Sequence, residues 1–415
     1  MTGRRAALVA WLAWILAFVG PRLVFAATPG DDLAVSVLTM GPGDHPFFKF
    51  GHNAILVEDR RRHRKDVYNF GTFDFESPTL LRDFMKGRLD YWLSVGSLDA
   101  TLDSYRRQRR SVDAQELNLT AAERRSLVDS LEVNALPEHR AYRYDYYRDN
   151  CSTRVRDAVD RISGGSLRSS ASGPASMTYR AHTLRLTADS LFLSLGLDLV
   201  MGDVIDRNIT QWDEMFLPAK LQEGLRKTTR DSEGVRLPLV LRESSLVRAD
   251  RPPLRTSPPN RNVPMFAIGL ALGGALVVLG RLGARYGVAR AGFGVLIAFV
   301  GLVMGLLGLV FLTFWIATDH VVAHHNENLL QCPPWAIVFV VAGPALAMNF
   351  PWAVRFVARL TVVAATVATL GLAATVLPWF DQVNGQFIAL LLPMWIGAAL
   401  GARALAAGPA PRRLT

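Results

Sequence analysis

The residues best equipped for chemistry are Cys151, in Asp149-Asn150-Cys151, and His52, in Gly51-His52-Asn53-Ala54-Ile55. A thiol is a strong nucleophile only as thiolate, and the first turn of a helix lowers its pKa because unpaired backbone N–H groups and the macrodipole favour negative charge. Cys151 is placed for this. Asp149 reads as the helix cap, and Val155, Val159 and Ile162 follow as an apolar stripe fit to pack on a sheet. His52 opens a strand and is the candidate base for the thiol. Other readings stay open: Cys151 as a small buried hydrophobe or as half of a disulfide with Cys332, and His52 as a structural strand histidine.

Positioning these two groups requires a sheet and a helix. Strands are expected over Leu33–Met40 and 50–57, around the turn Gly41-Pro42-Gly43-Asp44. A polar hairpin loop at 58–65 leads to a returning strand at 67–75, which can bring Asn69, Thr72 or Asp74 beside His52. Asn69 is the preferred group to orient the imidazole and Asp74 the reserve, with satisfaction of a strand or turn as the structural alternative for Asn69. Ser77-Pro78 predicts a helix reaching about Leu93, and Thr120-Ala121-Ala122-Glu123 is a capping box for a helix that ends before Pro137. Past the Cys151 helix come Gly- and Ser-rich residues to Ser176, then helical stretches at 195–205 and Pro218–Lys227. The result is a compact α+β unit with the base early and the nucleophile late.

The chain has 415 residues, half of them hydrophobic, and a formal charge of +10, which suits neither a disordered chain nor a small disulfide scaffold. No ordered basic-aromatic motif accompanies the positive charge, so no nucleic-acid partner is expected; the arginines follow membrane topology instead. Residues 1–26 read as a secretory signal, with Arg4 and Arg5, an apolar run, and Val24-Phe25-Ala26 as cleavage site; an uncleaved anchor is the alternative. Residues 27–250 form the exported domain, 251–262 a Pro-rich linker, 263–405 an all-α transmembrane domain and 406–415 a cytoplasmic tail. Five spans are expected, at 263–280, 291–318, 335–354, 360–378 and 386–405, each long enough for the ~30 Å hydrocarbon layer. Arg281, Arg285, Arg290, Arg355, Arg359, Arg403, Arg412 and Arg413 then fall on the cytoplasmic side, and Asp319, Glu327 and Asp381 on the exported side with Cys151. His320, His324 and His325 have spacing that suits a metal, but one short loop supplies no complete ligand set, so neither metal nor cofactor is expected. Contact of His325, Asn326 and Asn328 with a headgroup or acceptor is expected there, and Arg148 and Arg154 read either as phosphate contacts or as solvated charges.

The strand-borne histidine precedes the cysteine helix, the reverse of the papain order, and this resembles circularly permuted papain-like enzymes such as the lecithin:retinol acyltransferase group. More specifically, Gly41-Pro42-Gly43, Phe50-Gly51-His52-Asn53-Ala54, Tyr68-Asn69-Phe70-Gly71-Thr72-Phe73-Asp74-Phe75 and Tyr144-Asp145-Tyr146-Tyr147-Arg148-Asp149-Asn150-Cys151 resemble the Lnb N-terminal periplasmic domain family. The likeness continues through Met215-Phe216-Leu217-Pro218 into the membrane part. The resemblance implies lipoprotein N-acylation at the bacterial inner membrane by a periplasmic catalytic domain. An acyl chain would pass from a phospholipid donor, through a thioester, to the α-amine of a diacylated lipoprotein. Within that scheme Cys151 is nucleophile, His52 base and Asn69 orienting group, with the Cys151 N–H as oxyanion donor and the Asn150 side chain as a candidate second. A membrane-tethered cysteine peptidase or amidase, and a nonenzymatic lipid- or protein-binding module, are the competing readings.

Overall fold

The computed structural model describes residues 28–74, 78–232 and 234–408. The expected signal at 1–26, the strand end at Phe75, the cap residue Ser77 and the tail arginines Arg412 and Arg413 lie outside the described residues.

Apolar side chains on both faces of the central strands make a sheet that must be covered twice. In β1 (Leu33–Met40), Leu33, Val35 and Val37 enter one core while Leu38 and Met40 enter another; in β2 (His52–Asp59), Ile55 and Val57 oppose Ala54 and Leu56 in the same way. The remaining strands are β3 (Arg64–Thr72), β4 (Asp90–Ser97), β5 (Val112–Leu117), β6 (Ala141–Arg143), a separate hairpin of β7 (Thr229–Ser232) with β8 (Val235–Pro238), and β9 (Val240–Val247). Seven of them form one antiparallel sheet in the order β6-β4-β3-β2-β1-β5-β9. Helices Ala121–Asn134, Cys151–Ile162 and Pro218–Lys227 bury Leu131, Val155, Val159, Leu221 and Leu225 on one face. Helix Leu98–Arg107 puts Leu98 and Leu102 on the other.

Local signals fared unevenly. The Thr120 capping box forms as expected: the Glu123 N–H donates to Thr120 Oγ1 at 3.3 Å and the Thr120 N–H to Glu123 Oε2 at 2.7 Å. The helix expected from Ser77 to Leu93 is instead Leu80–Lys86, stopped by Gly87 at φ +73°, and Leu93 is buried in β4. The 58–65 loop is tighter than expected, because Glu58 and Asp59 already pair with Lys65 and Arg64. The extension beyond the Cys151 helix is not purely helical, since β9 returns to close the sheet beside β5.

Among the described residues, four helices are long and apolar enough to cross a membrane: Asn262–Gly283, Gly287–Ala317, Pro351–Ala374 and Gly385–Ala406. The stretch expected as a continuous span at 335–354 is broken. Val321–Leu330 and Pro334–Ala347 form a pair bent by 60°, and the next helix starts at Pro351 after Asn349 takes φ +64°. Arg355 and Arg359 therefore lie in the first turns of that helix rather than in a loop. The first and last long helices pack through glycine: a Cβ on Gly273 would stand 2.4 Å from the Pro393 carbonyl oxygen, and one on Gly397 2.3 Å from the Gly273 Cα.

The sheet domain is docked on this helical region by hydrogen bonds to one helix end. Helix Leu191–Val200 leaves its last carbonyls without partners of its own. Asn326 Nδ2 donates to the Leu199 and Val200 carbonyls at 2.9 and 3.0 Å, Asn328 Nδ2 to Leu199 at 3.2 Å, and Gln382 Nε2 to Met201 at 3.0 Å. Asp319 pairs with Arg88 at 2.7 Å, so the ends carrying Asp319, Glu327 and Gln382 are those that meet the sheet domain.

Candidate active site

The Cys151 helix is capped by Asn150, not by Asp149 as the sequence suggested. Asn150 Oδ1 accepts from the Ser152 and Thr153 N–H groups at 2.8 and 2.9 Å, and Thr153 Oγ1 accepts from the Asn150 N–H at 2.8 Å. Asp149 instead grips Arg154 through both carboxylate oxygens, at 2.6 and 2.7 Å. Asn150 Nδ2 donates to the Tyr146 and Phe216 carbonyls, so this side chain is fully engaged inside the protein and has nothing to offer an oxyanion. The Cys151 N–H takes no part in the cap and, among the described residues, meets no acceptor.

Cys151 is partly exposed at the helix start, packed against the core that holds Val155 and Val159, and it hydrogen-bonds His52 at the start of β2. His52 Nε2 lies 2.5 Å from Asn69 Oδ1 on neighbouring β3. A carboxamide oxygen only accepts, so the imidazole carries its proton on Nε2 and turns Nδ1 to the thiol. Burial alone would push the Cys151 thiol up; the charge and hydrogen bond of His52, with the backbone N–H groups of Asn53 and Ser152, hold it below the usual range. Burial likewise opposes protonation of His52, yet the thiolate and the hydrogen bonds to Cys151 and Asn69 raise it above an ordinary imidazole. Each group thus favours the charged form of the other.

Gly71 lays bare backbone against the pair. Gly71 has φ +96°, and a Cβ on it would stand 3.5 Å from the Cys151 Cβ and 3.6 Å from the His52 Cε1. From here an aromatic wall leads to the helical region. Tyr91 stacks on Tyr144 at 4.2 Å between ring centres, Tyr144 meets Tyr146 at 5.8 Å, Tyr146 lies over His320 at 6.5 Å, and His320 meets Phe314 near the end of Gly287–Ala317 at 5.3 Å. The sequence shows an aromatic segment from Tyr142 to Tyr147 leading into the Cys151 helix, but neither Gly71 nor the path of this wall to His320 follows from it.

The other expected positions lie elsewhere. Asn326 and Asn328 are buried and tie the two regions together, as described above, rather than facing a ligand. His325 turns outward against Trp315, with Asp203 at 3.9 Å. His320 and His324 each place Nε2 on a carbonyl oxygen, of Phe84 and Thr318 respectively. Asp74 is exposed at the end of β3 while Asn69 takes the imidazole. Arg148, Arg154 and Arg161 line a cleft of about 510 Å³ between helices Ala121–Asn134 and Cys151–Ile162. Cys332 is buried against Met304, and both cysteines are free, which removes the disulfide reading.

A mixed α/β domain presenting a thiol, joined to apolar helices long enough to span a bilayer, defines a membrane-anchored protein with an exported domain. Residues 22–188 match the family model described as the Lnb N-terminal periplasmic domain. Comparison with curated proteins and with solved structures gives no match.

Proposed function

We propose that the protein is a lipoprotein N-acyltransferase with a permuted papain-like thiol domain, Cys151 being the nucleophile, His52 the base and Asn69 the residue that orients it. In the first half-reaction the Cys151 thiolate attacks a phospholipid ester carbonyl, a C–S bond forms, and the carbonyl electron pair moves to oxygen, where the Cys151 N–H meets it. Collapse breaks the ester C–O bond. The lysophospholipid leaves with the proton of the His52 imidazolium, and a thioester remains. In the second half the lipoprotein α-amine attacks the thioester, His52 takes the amine proton, and the thiolate departs as the amide forms.

One observation carries the choice of a lipid substrate. The wall beside Cys151 ends at His320, shortly after a membrane-length helix, and this continuity with the apolar region supports an acyl-chain substrate. Exposed Phe84 and Met85 on the short helix packed at His320 add apolar surface at the same rim. A site sunk toward lipid also favours aminolysis of the thioester over hydrolysis.

The test is mass spectrometry of the full-length protein incubated with phospholipid, followed by a diacylated lipopeptide. The expected result is one acyl chain on Cys151, then a triacylated product, with both absent in Cys151→Ala. Cleavage of peptide amides with no acyl adduct would replace this reading by a peptidase. Unchanged triacylation by Cys151→Ala would remove the thiol from the chemistry altogether.

A further inference from the structure

We propose that the Tyr142 hydroxyl is a catalytic residue, a second hydrogen-bond donor to the oxyanion formed when Cys151 attacks a carbonyl. This deepens the acyl-transfer reading and rests on it for the identity of the acyl donor.

Tyr142 sits in β6, paired with Tyr91 of β4, and is 8% exposed. Its hydroxyl is buried and has no hydrogen-bond partner among the described residues. A buried hydroxyl without a partner destabilises the folded state unless an acceptor arrives with a ligand. The direction in which it points identifies that ligand. The Tyr142 Oη is 3.9 Å from the point a Gly71 Cβ would occupy, the same point that lies 3.5 Å from the Cys151 Cβ and 3.6 Å from the His52 Cε1. The Tyr142 hydroxyl, the Cys151 Cβ and the His52 imidazole thus converge on the bare backbone of Gly71, which puts the Tyr142 O–H on the same side as the thiol and within reach of a carbonyl under attack by Cys151.

The surroundings tune the phenol for donation. The Arg154 guanidinium lies over the Tyr142 ring, 3.7 Å from its centre, and is itself held by both oxygens of Asp149. A cation on the ring face draws electron density from it and strengthens the O–H as a donor. Burial and the neighbouring thiolate push the phenol up from its ordinary value, so the proton stays on oxygen through the cycle. The bond changes are those of the thioester-forming step; Tyr142 supplies a hydrogen bond and keeps its proton.

The experiment compares full-length wild type with Tyr142→Phe in detergent, using a p-nitrophenyl acyl ester for the burst of acyl-enzyme formation and iodoacetamide for thiol reactivity against pH. The expected result is a burst slowed by about 100-fold, the range for loss of one oxyanion donor, with the alkylation rate and its pH midpoint unchanged. A burst at the wild-type rate overturns the proposal. So does a slow burst accompanied by a shifted alkylation midpoint, which places Tyr142 on the thiol–imidazole pair instead, and so does the absence of a burst in wild type. If Tyr142→Phe does not fold, 3,5-difluorotyrosine at 142 takes its place: a faster burst supports the hydrogen bond and an unchanged one overturns it. A wild-type burst with the p-nitrophenyl ester but no adduct from phospholipid sinks the lipid reading alone and leaves Tyr142 tested.

Discussion

In the proposed mechanism His52 does two jobs for Cys151, and the pH dependence of the thiol separates them. With the thiol lowered and the imidazole raised, thiolate is lost as pH falls through the lowered Cys151 value, and the imidazolium proton is lost as pH rises through the raised His52 value. His52→Ala should therefore move the iodoacetamide midpoint upward toward an ordinary thiol near ~8.5, and cut acyl transfer by roughly 10²- to 10⁴-fold. Asn69→Ala removes the acceptor that fixes the imidazole proton on Nε2, so its midpoint should move in the same direction but less, with kcat falling more than KM rises. Gly71→Ala should slow the p-nitrophenyl ester burst, because it strains a backbone at φ +96° that lies against both Cys151 and His52; a normal burst would mean that this backbone does not position the pair. Asn69 was legible in the sequence because a hairpin folds a strand back on its neighbour and needs no distant information. Tyr142 was not, because β6 reaches the site only by pairing with β4, whose position the sequence had given to a helix.

The helix that carries the thiol owes its position to its first residue before the turn. Asn150→Ala removes the acceptor for two N–H groups and leaves the Phe216 and Tyr146 carbonyls short of a donor, so a loss of about 2 kcal/mol is expected in chemical unfolding. Asp149→Ala breaks only a half-exposed ion pair and should cost less than about 1 kcal/mol; the reverse order would show that Asp149 is the cap after all. Sequence spacing located this helix and its buried stripe, but Asp149 and Asn150 are adjacent and chemically equivalent as caps, so only the geometry could choose between them. The Thr120 box was readable because both partners lie within one turn. β4 was missed because Ser77-Pro78 is a sound helix start and the stop at Gly87 depends on its left-handed backbone. β9 was missed for another reason: an edge strand whose side chains are mostly exposed carries no strong apolar alternation.

At the scale of the molecule, the two regions act as one because helix Leu191–Val200 ends against the 321–331 segment. Gly202 lies in that seam, where a Cβ would stand 1.7 Å from the His324 carbonyl oxygen. Gly202→Val should force the sheet domain off the helical region: phospholipid-dependent acylation should fall by more than about tenfold, while the p-nitrophenyl ester burst persists. Equal loss of both would mean that the seam supports the site itself. The membrane helices were legible because length and hydropathy need no tertiary information, whereas the bend at Pro333-Pro334 and the seam depend on what packs against them. The floor under the thiol belongs to the same long-range class. Ser152 Oγ donates to the Met215 carbonyl, Asn150 Nδ2 to Phe216 and Arg156 Nη1 to Trp212, while Leu221 and Leu225 close the core beneath. All of these partners come after residue 188, where the family match ends. A polypeptide stopped at that point would keep Cys151 and His52 yet forfeit the surface on which the thiol stands, so a portion able to fold around Cys151 must run on at least through Leu225.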